Sequence, residues 1–223
     1  MIKIEKTETF GWKAAVRGAR NPLNSWDRLD SQSIVTCDGD RYLLGDNDTG
    51  LLKRLAKAGS DHGKFMRMIT VYVDITAPLY WWKEFDTYKV GTVANSCSTM
   101  HKIHAKEFTF DDFSHEHLQT FVDYKEGDDT AAVYNFMRRL EDIIDVLNTA
   151  RRLYIETKDK EYWWQMIQLL PSSYNQKRTI MLNYEVLKNM YHARKNHKLD
   201  EWRELCKWIE SLPYSELITG EKK

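Results

Sequence analysis

Hydroxyl and amide side chains are concentrated between residues 87 and 99, where the sequence reads TYKVGTVANSCST. Thr92, Asn95, Ser96 and Ser98 can each donate and accept hydrogen bonds, which is the chemistry that holds a polar ligand. Gly91 gives the same stretch conformational freedom. A polar loop held between two packed elements is a common form of binding site. The sequence therefore predicts a loop that closes on a ligand.

The elements that would position this loop can be read on both sides of it. Residues 68–75 alternate β-branched and aromatic side chains, which predicts a half-buried strand. Pro78 cannot donate to a sheet but suits the first turn of a helix, so a helix is predicted over residues 79–89. A second strand is expected after the loop, over residues 98–104. The loop would then join a helix to a strand.

Two histidine pairs and one glutamate offer other chemistry. His101 and His104 would point to opposite faces of the strand predicted there, so they could not easily share a metal ion. His115 and His117 share a face only in an extended segment, and we expect them on the surface or in a loop. Glu84, one turn after Tyr80, is either part of a solvated helix face or an acid or base that reaches the pocket. No metal site is predicted.

Two tryptophan pairs, Trp81-Trp82 and Trp163-Trp164, lie in segments predicted to be helical. Neighbouring side chains on a helix point about 100° apart, so one ring of each pair is expected in the core. The other ring would stack on a flat ligand or fill a subunit contact.

Composition bounds the class of protein. The 223 residues include 33 Lys and Arg and 33 Asp and Glu. The net charge is therefore zero, and the chain has no overall positive charge to attract nucleic acid. The three cysteines have no CxxC spacing, so neither a disulfide framework nor a zinc site is indicated, and a reducing cytoplasm fits. No secretory h-region and no run of about 18 apolar residues is seen, so no membrane association is expected.

Helical periodicity dominates the second half of the chain. A spine helix is predicted over about 130–157, capped by Asp128, Asp129 and Thr130. Further helices are expected over 162–170, from an N-cap at Thr179 onward, and over 199–212. In the first half, a strand is expected over 2–10, a helix from Trp12, and another helix entered through Asp48 or Thr49. We predict a single α+β domain over residues 1–223, with short strands first and helices later.

The order of these elements resembles the flavin-dependent thymidylate synthases (ThyX). In that family a Gly-His region leads into a strand, a helix runs into an RHRxxSxNExSxRY motif, and a Leu-Pro and an Asn-x-Arg-x-Leu helix follow. The corresponding segments here are AGSDH (58–62), TYKVGT (87–92) with NSCS (95–98), LP (170–171) and NYEVL (183–187), with Arg194 beyond. The resemblance covers most of the chain in order and spacing.

The resemblance implies a homotetramer that binds FAD and the pyrimidine nucleotide dUMP at subunit interfaces, with NADPH and methylenetetrahydrofolate as co-substrates. The positions it assigns to the cofactor surroundings are His62, Thr87, Tyr88, Lys89, Asn95 and Asn183. Those it assigns to the nucleotide are Thr92, Ser96, Ser98, Glu185 and Arg194. Ser98 and Lys89 are its catalytic candidates.

Two departures from the family motifs leave more than one function open. Thr87 and Glu185 stand where the family has arginines, and a carboxylate near a phosphate adds repulsion to the loss of a charge-assisted hydrogen bond. The first hypothesis is a divergent synthase that reductively methylates dUMP to dTMP. The second is a catalytically inactive nucleotide-binding or structural protein with the same fold. A third is an enzyme for another pyrimidine or flavin substrate, with Lys89 and Glu185 as an acid/base pair.

Overall fold

The computed structural model describes residues 2–37, 39–126 and 130–220, and describes the backbone alone at 39–40, 122–126 and 130–134. It divides into two compact units. Among the described residues, the larger unit lies within 2–75, 86–95 and 178–220, and the smaller within 76–85 and 96–177. The expectation of a single domain over 1–223 stays a prediction. The fold is α+β, as predicted.

The larger unit contains most of a four-stranded sheet, a β-hairpin and several helices. Strands β1 (Lys3–Phe10), β4 (Thr70–Pro78), β8 (Asn175–Asn183) and β5 (Val93–Ser96) form a sheet in the order β1-β4-β8-β5. A hairpin of β2 (Gln32–Thr36) and β3 (Gly39–Leu43) is antiparallel, with Gln32 opposite Leu43. The helices of this unit are α1 (Trp12–Arg20), α2 (Asp46–Lys57), α6 (Tyr184–Arg194), α7 (Asp200–Ser211) and α8 (Glu216–Thr219).

The junction between β8 and α6 is fixed by hydrogen bonds and by burial. Asn183 ends the strand and caps the helix, since its side-chain oxygen accepts from the amide of Val186 at 3.0 Å. Tyr184 is completely buried, its amide donates to the carbonyl of Ile69 at 3.1 Å, and its hydroxyl donates to the carbonyl of Pro213 at 2.5 Å. The start of α6 is therefore a rigid point of this unit.

The smaller unit is mainly helical. It contains α3 (Leu79–Phe85), α4 (Phe136–Thr157) and α5 (Lys160–Leu169), and an antiparallel pair of strands, β6 (Val122–Glu126) and β7 (Thr130–Tyr134). Leu140, Ile144 and Leu147 of α4 pack with Met166 of α5 and with Phe113 in one hydrophobic cluster. None of the helices in the described parts of the chain has the length and apolarity needed to span a membrane.

Several predicted elements are confirmed, with shifted ends. The strand over 2–10, the helix from Trp12, the strand over 68–75 and the last helix are all present. The helix predicted over 79–89 ends at Phe85, because Asp86 and Tyr88 are held by tertiary partners of β8 and α6. Helix α2 begins at Asp46, before the predicted entry through Asp48 or Thr49. Its first amide groups are capped from outside the helix by Asp30, a signal that local sequence cannot give.

Other predictions are wrong. Residues 98–104 form no strand; most of them lie in turns. The strand β5 (Val93–Ser96) lies inside the predicted loop instead, so Asn95 and Ser96 are strand residues. The spine helix begins at Phe136 with Asn135 as its cap, because Thr130 to Tyr134 pair with β6; Asp128 and Asp129 lie outside the described residues. Thr179 lies within β8, where Ile180 and Leu182 are buried with the two-residue period of a strand.

The tryptophan pairs also differ from expectation. Trp81 and Trp82 are both buried, at 0% and 1% exposure, with their ring centroids 4.8 Å apart. The indole N–H of Trp82 donates to the carbonyl of Gln176 at 3.0 Å. Trp163 is half-buried against the α4–α5 cluster, whereas Trp164 is 42% exposed. Helix periodicity fails for the first pair because α3 is short and enclosed on more than one side.

Candidate functional site

The predicted ligand loop lies against the start of α6 at Gly91. Gly91 has a φ of 78°, a left-handed conformation that suits glycine. A Cβ atom there would lie 2.7 Å from the side-chain nitrogen of Asn183 and 3.2 Å from a methyl carbon of Val186. The backbone of the loop therefore lies directly against the capping residue of α6. This approach places a polar loop beside a helix start, an arrangement that can bind an anion.

Arg194, at the end of α6, is held between two aromatic rings. Its Nε donates to the hydroxyl of Tyr88 at 3.0 Å, and its guanidinium carbon lies 4.7 Å from the ring centroid of Trp202 and 5.8 Å from that of Tyr88. Trp202 is completely buried. Cation–π contacts and a hydrogen bond fix the orientation of this cation, which is the requirement for planar recognition of a carboxylate, phosphate or base.

An ion pair that the sequence did not reveal joins the start of α6 to the segment before β4. Arg67 donates from Nε and Nη2 to the two carboxylate oxygens of Glu185, the second contact being 3.1 Å long. The hydrogen bond and the charge of Glu185 raise the pKa of Arg67. The two residues are 118 positions apart, so no local pattern could have predicted the pair. The carboxylate of Glu185 is thus committed to a guanidinium.

The two ends of the loop are anchored to β8. Arg178 donates to the carboxylate of Asp86 at 2.7 Å, within the larger unit. Within the smaller unit, the backbone amide of Cys97 donates to the carbonyl of Lys177 at 2.9 Å, and the side-chain Nε2 of Gln176 donates to the carbonyl of Cys97 at 2.8 Å. These contacts hold both ends of the loop to one strand, as a binding loop on a rigid scaffold requires.

Thr92 provides a test of whether the loop fits a polar ligand. Its hydroxyl oxygen is buried and has no hydrogen-bond partner among the described residues. A buried hydroxyl without a partner is costly, so a ligand atom that supplies one would be favoured. Lys89, Asn95 and His62 are exposed and available at the surface of the larger unit.

Ser96 and Ser98 belong to the smaller unit. The hydroxyl of Ser98 accepts hydrogen bonds from the amides of Met100 at 3.2 Å and of His101 at 2.9 Å. These bonds give Ser98 a structural part in a turn. Cys97 is exposed and directly follows β5.

The histidines considered for metal binding have other surroundings. His104 packs its ring against Tyr154, with centroids 4.9 Å apart, and a ring nitrogen of His115 lies 2.8 Å from the carbonyl oxygen of Phe113. Across the described parts of the chain, no group of three or more His, Cys, Asp and Glu side chains is placed to hold a metal ion.

Comparison with solved structures places the fold. No protein-family model matches the sequence, and no curated protein matches it either. Thymidylate synthase X from Helicobacter pylori, solved with FAD and dUMP, is similar at a TM-score of 0.67 and 15% identity, with 99% of this chain and 98% of that chain covered. A second structure of that enzyme with the same ligands has a TM-score of 0.65 and 16% identity, covering 99% and 100%. This chain has the ThyX fold.

A third ThyX-fold neighbour widens the chemistry found on this architecture. It is the UMP/dUMP methylase PolB from Streptomyces cacaoi, solved with 5-Br dUMP, at a TM-score of 0.60 and 16% identity, covering 95% of this chain and 89% of that chain. The resemblance predicted from the sequence is thereby confirmed for the fold. At this identity the match carries the fold alone.

On the ThyX fold, the residues predicted from the motifs fall into three groups. Tyr88 contacts Arg194, and the loop contacts Asn183. Glu185 is bonded to Arg67, which the motifs did not point to. The ligand roles proposed for these four positions stay predictions, as do those of the remaining positions, which are His62, Thr87, Lys89, Thr92, Asn95, Ser96 and Ser98.

Proposed function

We propose that this protein is a divergent flavin-dependent thymidylate synthase that reductively methylates dUMP to dTMP. Its cofactor would be FAD, with methylenetetrahydrofolate as the methylene donor and NADPH as the reductant. The observation that carries the proposal is the fold shared along 99% of the chain with an enzyme solved with FAD and dUMP. A cytoplasmic homotetramer is part of the proposal. Its assembly is testable by light scattering.

The residues would divide between the two ligands as follows. Arg194, oriented by Tyr88 and Trp202, would present its guanidinium to the anionic nucleotide. The buried hydroxyl of Thr92 would gain its missing partner from a ligand. Lys89 and Ser98 would act at the reacting ring. FAD, when bound and reduced, would supply a hydride. His62, Asn95 and Asn183 would then contribute to holding the cofactor.

The first experiment is a visible absorption spectrum of the purified protein, before and after mixing with excess FAD and desalting. A retained flavin band that changes when dUMP is added is the expected result. Release of tritium from dUMP labelled at C5 then tests turnover, and UMP labelled at C5 is the second substrate, because PolB is a UMP/dUMP methylase. A colourless protein that fails to retain FAD would refute the flavoenzyme.

The proposed catalytic positions have their own control. Lys89→Ala should lower tritium release with little change in melting temperature, because the side chain is exposed. Ser98→Ala should also lower tritium release, with a small loss of stability because its hydroxyl accepts from two amides. Lys83→Ala on α3 is the matched control, since Lys83 is also exposed and is not among the predicted site residues. Equal activity in all three variants would remove both residues from the proposed chemistry.

A second candidate function is an inactive nucleotide-binding protein, and one observation favours it. The carboxylate of Glu185, at a position where the family has arginine, holds Arg67. The phosphate of a nucleotide bound beside this pair would gain little attraction from Arg67, because Glu185 already neutralises its charge.

The Glu185→Gln substitution distinguishes the two candidates. It removes the negative charge and releases Arg67, so dUMP should bind roughly three- to tenfold more tightly if the nucleotide lies here. Glu204→Gln, on an exposed pair with Lys207, is the control and should leave binding unchanged. Tighter binding with no tritium release in either protein would favour the inactive candidate, and unchanged binding would place the nucleotide elsewhere.

A further inference from the structure

A polar cavity outside the candidate site lies between the end of α1 and the start of α2. Its volume is about 430 Å³, and its lining includes Arg20, Arg28 and Arg54. Ser25 and Asn47 contribute polar groups to the same wall. None of its lining residues belongs to the predicted ligand loop or to its contacts with α6 and α7. We call this space the arginine cavity.

Arg20 is the buried member of the arginine cavity, at 3% exposure. Its Nε donates to Asp48 at 2.6 Å, and its Nη1 donates to the carbonyl of Ser25 at 3.1 Å and to the hydroxyl of Ser25 at 3.4 Å. Its Nη2 is buried and has no acceptor among the described residues. A buried cationic N–H without an acceptor is costly, so this atom indicates a missing partner with lone pairs.

Arg28 and Arg54 add two positive charges to the lining, and Asp27 offsets one of them. Both side chains are exposed, and neither forms an ion pair within residues 2–37, 39–126 and 130–220. Asp27 is the acidic residue that shares the lining with them. The carboxylate of Asp48 is already taken by Arg20 and Ser31. A water molecule would satisfy the Nη2 of Arg20 but would leave the excess positive charge unexplained.

The other acidic group near the start of α2 is also committed. The carboxylate of Asp30 accepts from the amides of Asn47 at 2.8 Å and Asp48 at 3.0 Å. The helix amides are therefore occupied, and recognition in the cavity falls to the guanidinium groups. Planar guanidinium groups bind phosphate oxygens in a bidentate manner, whereas a single carboxylate would leave free donors of Arg28 and Arg54 unused.

We propose that the arginine cavity is a binding site for the phosphate group of a small phosphorylated molecule. Oxygens of the phosphate would accept from the free nitrogen of Arg20, while Arg28 and Arg54 neutralise its charge. The cavity is larger than one phosphate, so the group attached to it would lie against Asn24 and Leu23, which also line the wall. The site is independent of the nucleotide and cofactor sites under the proposed function.

The test is isothermal titration calorimetry of the full-length protein with pyrophosphate and with inorganic phosphate. The double variant Arg28→Gln/Arg54→Gln should weaken pyrophosphate binding by about a hundredfold, about tenfold for each lost charge-assisted contact. Both changed residues are exposed, so the variant should keep its melting temperature. Arg20 is left intact, because its removal would leave Asp48 buried without a counter-charge.

Arg17→Gln is the matched control. Arg17 is an exposed arginine on the same helix as Arg20 but does not line the cavity, so its loss should change binding by less than about twofold. Binding that is lost in the double variant and kept in Arg17→Gln supports the site. Absence of binding by either anion at millimolar concentration, or equal weakening in both variants, would overturn it.

Discussion

Substituting Asp48 tests how much the buried ion pair contributes to the larger unit. Asp48 has 0% exposure, and its carboxylate accepts from Arg20 at 2.6 Å, from the hydroxyl and amide of Ser31 at 2.5 Å and 3.0 Å, and from the amide of Asp30 at 3.2 Å. Asp48→Ala would leave the guanidinium of Arg20 buried without a counter-charge. Removing one partner of such a pair costs about 3–5 kcal/mol.

That cost translates into a measurable change in thermal unfolding. For a chain of this length, about 1 kcal/mol shifts the Tm by about 2–4 °C, so the Tm of Asp48→Ala should fall by about 6–20 °C. Circular dichroism at 222 nm during heating measures the shift. Asp27→Ala removes an exposed carboxylate from the neighbouring loop and is the control, with an expected change within about 0.5 kcal/mol.

A double-mutant cycle separates the ion pair from the other bonds of Asp48. Arg20→Met combined with Asp48→Leu replaces both charges with apolar groups, which is often nearly neutral compared with breaking the pair. The double variant should be less destabilised than the sum of the single variants by about 0.5–3 kcal/mol. Additive effects, or a loss below about 1 kcal/mol for Asp48→Ala, would refute the argument that this buried pair stabilises the larger unit.

Three further predictions follow from local geometry. Burial raises the pKa of the Cys206 thiol from 9.0 to about 11. The neutral thiol therefore stabilises the fold below about pH 9, and that contribution is lost as the pH rises toward 11. Thiol titration of the native protein should label Cys37 and Cys97 and spare Cys206. Burial opposes the charge of Asp30, but hydrogen bonds from two amides of α2 lower its pKa overall, so its stabilisation is present above pH 3.8 and fades below it. Asp30→Ala should lower the Tm by about 2–4 °C at pH 7 and by less at pH 3, a difference that melts at both values would measure. Gly91→Ala should displace the capping residue Asn183 of α6, whose side-chain nitrogen lies 2.7 Å from the new Cβ. Calorimetric titration with dUMP should show that this variant weakens nucleotide binding more than Val90→Ala, a change at an exposed neighbour.

The parts of the fold that the sequence predicted are those with strong local patterns. The strand over 68–75 and the helix over 199–212 have regular periodicity, so their burial could be read directly. The part of β8 from Thr179 onward was predicted to be a helix, because the charges of Lys177 and Arg178 in the same strand obscure the alternation of Ile180 and Leu182. The end of α3 and the start of α2 were missed because their partners are distant in sequence.

The candidate site shows the same division. The polar loop, Asn183 and Arg194 could be found from composition and motif order, but their contacts could not, since Gly91 and Asn183 are 92 positions apart in the chain. The pairing of Arg67 with Glu185 was inaccessible for the same reason. Likewise, the arginine cavity joins residues from two helices and the loop between them without a motif.

The Arg67–Glu185 pair changes how the departures from the ThyX motifs should be weighed. Read along the sequence, Glu185 is a charge reversal that would repel a phosphate. In the folded chain the reversal is compensated, because Glu185 holds a guanidinium supplied by another segment. The pair as a whole is neutral, and surface pairs of this kind contribute little to folding free energy. The titration of Glu185→Gln with dUMP therefore measures the effect of this pair on binding at the start of α6 separately from its small effect on stability.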